Sequence, residues 1–324
     1  MRPSLLAVAL LLAPCSLLPA QSDSTQAPRL PPPQGFRVYI VSDMEGLGSV
    51  SGVREVIAGT EGENYKNSTS TDYWDYYRDL MTREVNAVID GARQGGARDF
   101  VVNEGHGGNL FRNILPWELD TAAILIRGYP RPLIMTTAID SSVGTVIFTA
   151  AHAGAGSNGL LAHTYAFDDF TVDGHRLNEV GINALVASEY GVAVSMVTGD
   201  QVVIAQAKEI LGPGIVGVVV KQAFGRTAAM TFSPARVRRM LTDSAAVAVR
   251  RAMRGEFKPY RLQKPYQVVF TLRKSYPDSV AAGVDSLHWP GLEKTGPRAY
   301  RYSIGDARQI GYLLDAIEGV VLKP

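Results

Sequence analysis

The sequence holds a single cysteine, Cys15, and it falls in an N-terminal stretch that reads as a leader. The remaining chain therefore has no disulfide framework and no thiol chemistry, and any metal it binds must be held by His, Asp and Glu. An excess of either charge is also missing: Lys and Arg number 32 against 31 Asp and Glu, and the formal net charge of +1 includes Arg2. Loss of the leader balances the two signs, which excludes a long-range field that would draw in nucleic acid or an anionic membrane. The apolar run from Leu5 to Leu12 is too short to span a bilayer comfortably. There is no Gly-rich phosphate loop of Walker type, no arginine clamp beside the motifs described below, and no internal repeat.

What is present is a chain of 324 residues with the apolar and charged fractions of an ordinary globular protein, long enough for a substantial core. Residues 1–20 read as a signal peptide: Arg2 supplies the basic region, Leu5 to Leu12 the apolar one, and Leu18-Pro19-Ala20 a small-residue cleavage site. Leu12-Ala13-Pro14-Cys15 matches a lipoprotein box loosely, with proline in a poor position. Export to the periplasm or beyond is the expectation. Residues 21–35 are polar and then rich in proline, a tether without a core-forming pattern. A sequon, Asn67-Ser68-Thr69, lies in the polar loop from Ser49 to Ser70.

From Gly35 onward, short apolar runs alternate with helical periodicities. Val38 to Val41, Phe100 to Asn103, Ala122 to Ile126, Thr145 to Ala150, Ala193 to Val197 and Ile215 to Val220 read as strands. Asp72 to Gln94, Leu177 to Tyr190 and Val202 to Leu211 read as helices, several of them stopped by glycine. Such alternation predicts an α/β domain over residues 36–232, with a parallel sheet flanked by helices. At Ser233-Pro234 the texture changes. A capped helix to about Met253, strands Tyr266 to Leu272 and Tyr300 to Ser303, and a helix from Asp306 to Gly319 predict a smaller α+β unit over residues 233–324.

The first strand ends in Ser42-Asp43-Met44-Glu45-Gly46, two carboxylates one residue apart at the place where α/β sheets bind ligands. If the extended backbone runs on to Glu45, both side chains share one face. Like charges held so close conflict unless a cation lies between them. His106 and His152 each follow a predicted strand in a glycine-rich turn, on the same sheet edge in a parallel sheet. Glu179 lies near the start of a predicted helix, and His163 follows a Gly/Ser/Asn turn. His175 is expected to face solvent and His288 to pack within the second unit. Imidazole and carboxylate donors without thiolate suit zinc, and less specifically manganese, iron or cobalt. Two histidines and three carboxylates are too many for one open catalytic zinc but suit two metals sharing a carboxylate, and hydrolysis is the natural chemistry.

Taken together, Ser42-Asp43-Met44-Glu45-Gly46, Asn103-Glu104-Gly105-His106, His152-Ala153, His163, and Glu179 ahead of Gly181 and Asn183 resemble the binuclear zinc D-aminopeptidase family of bacterial dipeptide-transport operons. The resemblance runs from about Arg37 to the C-terminus and includes Val220-Lys221-Gln222 and Ser233-Pro234. It departs where Glu104-Gly105 replaces an Asp-Ser pair, and in having a leader. The resemblance implies that Asp43, Glu45, His106, His152 and Glu179 ligate two zinc ions and that His163 is the catalytic residue, described for the family as the nucleophile. Physically, acting on a water or on the oxyanion suits this histidine better. The family also implies cleavage of N-terminal D-residues, such as D-alanine, from short peptides, and assembly into a homo-oligomer. The expectation is therefore an exported zinc aminopeptidase. A non-catalytic periplasmic solute-binding protein and a dimetal phosphoesterase are the alternatives.

Overall fold

The computed structural model describes residues 29–56 and 71–322. The leader, most of the tether and the sequon lie outside the described residues. The first strand, β1 (Arg37–Ser42), is buried along its whole length. Its alternate side chains feed two cores: Val38 and Ile40 enter one, Tyr39 and Val41 the other, as the period of two requires of a strand covered on both faces. Each fully buried Val or Ile contributes about 1.5–3 kcal/mol relative to exposure.

On one side of β1 lies β2 (Asp99–Glu104), then β3 (Ala123–Ile126); on the other lie β4 (Val143–Ala151), β7 (Val194–Asp200) and β8 (Val216–Ala223), all parallel. A short strand, β9 (Ala229–Thr231), closes the sheet antiparallel to β8. The sheet is thus mostly parallel and flanked by helices, the α/β class that the alternating pattern predicts. One face is covered by α1 (Thr71–Gly95) and α4 (Pro234–Met253), which pack on each other. Gly91 permits that approach, since a Cβ there would lie 2.1 Å from the carbonyl oxygen of Thr242. The N-terminus of α4 is built as its sequence predicts: the Ser233 hydroxyl accepts from the Arg236 N–H at 3.4 Å and Pro234 opens the first turn.

The other face carries α2 (Glu179–Ser188), α3 (Gln201–Leu211) and a second, antiparallel sheet. In it β10 (Tyr266–Leu272) lies between β12 (Ala299–Ile304), backed by β11 (Leu292–Lys294), and β5 (Phe167–Val172), followed by β6 (His175–Arg176). Two further helices, α5 (Asp278–Asp285) and α6 (Arg308–Val321), pack together, and α6 also meets α2.

This differs from a division of the chain at residue 233. The helix α4 belongs to the large sheet's layer, while β5 and β6 leave it to pair with β10. The physical reason is aromatic: Phe167 packs tilted against Phe270, and Phe170 and Tyr300 stack on it, at centroid distances of 4.9 to 6.2 Å. His288 is exposed rather than packed. His175 is exposed, as expected.

Candidate metal centre

The site is built where β2, β1 and β4 end side by side. Hydrogen bonding continues past the strands and ties the three motif turns together. Asp43 N–H donates to Thr149 O at 3.0 Å, Gly46 N–H to Ala150 O at 2.8 Å, and Gly105 N–H to Ser42 O at 2.6 Å. The extended backbone stops at Ser42, so the pleat does not align the two carboxylates. A turn does so instead, with Met44 N–H donating to Asp43 Oδ1 at 2.8 Å. Gly46 sits so close to β4 that a Cβ would lie 2.2 Å from backbone atoms of Ala150 and Ala151.

Three imidazoles face these carboxylates, and each commits one ring nitrogen to a main-chain carbonyl. Because a carbonyl only accepts, that nitrogen carries a proton, and in the neutral ring the other presents a lone pair. His106 donates from Nε2 to Val56 O, leaving Nδ1 at 3.0 Å from Glu45 Oε2 and 3.4 Å from Asp43 Oδ1. His152 donates from Nδ1 to Ala153 O at 3.0 Å and points Nε2 at Asp43 Oδ2 (3.4 Å) and Glu179 Oε1 (3.5 Å). His163 donates from Nδ1 to Leu161 O at 2.8 Å, with Nε2 at 3.8 Å from both Glu45 Oε1 and Glu179 Oε1. A lone pair aimed at an anionic oxygen is repulsive unless a proton or a cation lies between them.

Asp43, Glu45 and His106 bring one donor atom each to within 4.8 Å of one another; so do Asp43, His152 and Glu179, and a third grouping is Glu45, His152 and His163. Asp43 belongs to the first two, the arrangement of a carboxylate shared between two cations. These donors, all nitrogen and oxygen, fit zinc.

The electrostatics without a cation agree. Burial and the Glu45 charge push the Asp43 carboxyl up to about 7. Burial also opposes ionisation of Glu45 and Glu179, but the neighbouring histidines hold both below their ordinary value. Burial disfavours charge on His152, yet Glu179 and Asp43 outweigh it and raise the imidazole to about 10. In His163 burial and the His152 charge act together and lower it to about 4, so this ring is neutral at pH 7. It lies parallel to His152, with centroids 3.8 Å apart and planes 9° apart. Its side chain is 27 % exposed while the other five of the cluster are 9 % or less, so the site opens over His163.

Glu179 opens α2 below the N-cap Asn178, whose Oδ1 accepts from Gly181 N–H at 3.0 Å. Glu179 Oε1 accepts from Tyr165 N–H at 2.6 Å, joining the helix to the His163 loop. Asp43, Glu45, His106, His152, His163 and Glu179 are thus brought to one place.

Sequence reasoning missed the groups that hold these in position. Glu104 is buried and accepts from the Asn113 and Ile114 N–H groups, and the Asn113 amide donates to His106 O at 2.9 Å. The signal was visible, because this is the position that departs from the family's Asp-Ser. Lys221, 1 % exposed, donates to the carbonyls of Glu45, Leu47 and Val50. A lysine closing the apolar run Val216 to Val220 was the available clue.

Comparison with known proteins agrees with the geometry. A family model described as D-aminopeptidase (Peptidase_M55) matches residues 36–316. A D-aminopeptidase of Bacillus subtilis (strain 168) is 29% identical over 278 residues, covering 84% of this chain and 92% of the relative. Among solved structures, the Zn-dependent D-aminopeptidase DppA from Bacillus subtilis, a self-compartmentalizing protease, matches with a TM-score of 0.74 at 26% identity, covering 88% of this chain and 97% of that one.

Proposed function

The chain belongs to the D-aminopeptidase family and is a zinc-dependent metallo-aminopeptidase; from that premise we propose that it is exported, binds two zinc ions per subunit, and removes D-residues, D-alanine above all, from the amino ends of short peptides. The observation that carries this reading is the sharing of Asp43 between two donor groups. Asp43, Glu45 and His106 would hold one ion, and Asp43, His152 and Glu179 the other. Zinc held by these residues would polarise the scissile carbonyl and lower the pKa of a water toward neutrality.

The chain's own residues do the rest. His163, anchored at Nδ1 by Leu161 O, presents Nε2 as the acceptor for the attacking water's proton and can return it to the leaving amine. Stacking on His152 keeps its ring in plane. Glu104, Asn113 and Lys221 hold the ligand turns, so little reorganisation is needed when substrate arrives. Export is supported by the leader pattern in residues 1–20. Among the described residues no helix is long and apolar enough to cross a membrane. Assembly into a homo-oligomer is supported by the self-compartmentalizing description of DppA.

The test is metal analysis of purified protein beside an Asp43→Ala control, followed by a panel of L- and D-terminal dipeptides on the zinc-loaded enzyme. Two zincs per wild-type chain, fewer in the variant, and turnover of D-Ala-D-Ala are expected. A fully folded, metal-free wild type that is active would overturn the reading. For export, N-terminal sequencing of protein from the extracytoplasmic fraction of an expressing host should find a mature start near Gln21, and an intact Met1 start would count against it.

A further inference from the structure

His163 is aimed by a carbonyl, and that carbonyl belongs to a residue in a strained conformation. Leu161, whose oxygen accepts from His163 Nδ1 at 2.8 Å, has a φ of +52°. A leucine rarely adopts this left-handed backbone, which persists only where neighbouring groups hold it. The chain on either side is fixed to the large sheet. Leu160 N–H donates to Asp200 Oδ2 at 2.7 Å, at the end of β7, and His163 N–H donates to Ala153 O at 3.0 Å, just after β4.

The two residues between are held from the hairpin of β8 and β9. Its turn is closed by Phe224 N–H donating to Ala228 O at 2.9 Å, and Arg226 lies within it. Arg226 grips the loop from two directions: its carbonyl oxygen accepts from Leu161 N–H at 3.0 Å, and its Nη1 donates to Ala162 O at 2.6 Å. Ala162 N–H turns back on Gly159 O at 3.3 Å. All four main-chain polar groups of Leu161 and Ala162 are therefore engaged, two of them by Arg226. The hairpin is a firm base for this grip. Gln201, which opens α3, exchanges two side-chain hydrogen bonds with the main chain of Ala223, at 2.8 and 2.9 Å. Lys221, on the same β8, binds the Glu45 loop. One hairpin thus supports the turn of the carboxylates and the loop of His163.

We infer that Arg226 is a positioning residue for the peptidase reaction: its guanidinium holds Leu161 in the left-handed conformation that turns the Leu161 carbonyl toward His163 Nδ1. The inference rests on the peptidase reading and on the proton-transfer role given there to His163. Without the guanidinium, Ala162 O loses its donor in a place where Ala162 itself is buried. Leu161 is then free to leave the left-handed region, and its carbonyl turns away from the imidazole. The ring loses the partner that fixes which nitrogen bears the proton and where Nε2 points. Arg226 acts through Leu161 and not on the substrate.

The experiment measures kcat and KM for D-Ala-D-Ala, with zinc content, on zinc-loaded wild type, Arg226→Met and Arg226→Lys. Methionine keeps an apolar stem and lacks the donor, while lysine keeps a donor as a compact ammonium. Displacing a ring that transfers a proton costs about tenfold to a hundredfold. In Arg226→Met kcat should fall by that factor with KM and zinc content kept, because the ring acts in the transition state. Arg226→Lys should recover most of the loss. Wild-type kcat in Arg226→Met, a rise in KM with kcat kept, a loss of zinc in step with kcat, or no recovery in Arg226→Lys would overturn the inference and leave the peptidase reading standing. So would an Arg226→Met chain that does not fold, since the residue would then be holding the fold and not the ring. If zinc-loaded wild type does not turn over the peptide, the peptidase reading fails and this one falls with it.

Discussion

The buried ammonium of Lys221 donates to the main-chain carbonyl of Glu45, 176 residues earlier in the chain. The same ammonium reaches Leu47 O at 3.0 Å and Val50 O at 2.9 Å, while Glu84 Oε1 accepts from Gly48 N–H at 3.1 Å. The loop that follows Asp43 and Glu45 is therefore held by a lysine and a glutamate from two distant elements. Replacing Lys221 with Met keeps the volume and strips three buried carbonyls of their donor, each worth about 1–3 kcal/mol. Lys221→Met should lose roughly 3 kcal/mol or more in urea unfolding and release zinc to a chelator at a lower concentration than wild type. Unchanged zinc retention would show that the clamp does not position Glu45.

The role of His163 can be separated from that of the proposed ligands by two readouts. In the mechanism above it moves a proton, so His163→Ala should keep its zinc and lose about 10²–10⁴-fold in kcat. Metal analysis and steady-state kinetics on one preparation decide the matter. Loss of zinc along with activity would make His163 a ligand, as its grouping with Glu45 and His152 allows.

Gly46 is a test of backbone crowding. An alanine there would place its Cβ 2.2 Å from the Ala150 carbonyl carbon and the Ala151 oxygen, both main-chain atoms of β4. The loop must shift, and with it the 2.8 Å hydrogen bond from Gly46 N–H to Ala150 O. Overpacking of this kind costs about 1–3 kcal/mol. Gly46→Ala should unfold at lower urea concentration and bind less zinc; a wild-type midpoint and stoichiometry would count against the tight approach.

The pH dependence of stability should expose the pair at the start of β1. Arg37 Nε lies 2.6 Å from Asp99 Oδ1, and Nη1 and Nη2 reach Ser142 Oγ and Pro31 O. Burial pushes the Asp99 carboxyl up, but Arg37 and the Gln34 N–H outweigh it and hold it below its ordinary value. A depressed carboxyl stabilises fully above its unfolded value of about 4 and loses that contribution as pH falls through the folded value. Asp99→Asn should thus cost about 3 kcal/mol at pH 7, with the gap to wild type narrowing below about pH 4. A gap of constant size between pH 7 and pH 3 in urea unfolding would mean that the charge of Asp99 is not what stabilises.

Much of the site was readable because metal chemistry leaves a local mark. Asp43 and Glu45 end an apolar strand, and His106 and His152 sit among glycines at the ends of two others, positions that packing alone does not explain. The strands and helices of the large sheet were readable for a similar reason, since periods of two and 3.6 arise between residues a few positions apart. The hairpin of β5 and β6 escaped notice because Asp168, Asp169, Asp173 and Gly174 interrupt its apolar pattern, and its partner β10 lies about a hundred residues on.

The sequence by itself determined the α/β alternation, the capped start of α4 and the candidate side chains Asp43, Glu45, His106 and His152 at strand ends, all matters settled by near neighbours along the chain. Only the tertiary structure decided that α4 covers the large sheet while β5 and β6 join the second one. It alone decided that Lys221 is buried beneath Glu45. A lysine or a glutamate looks in sequence like any solvated charge; what it does is set by the groups that folding brings within a few ångströms, and by whether water is left there to replace them.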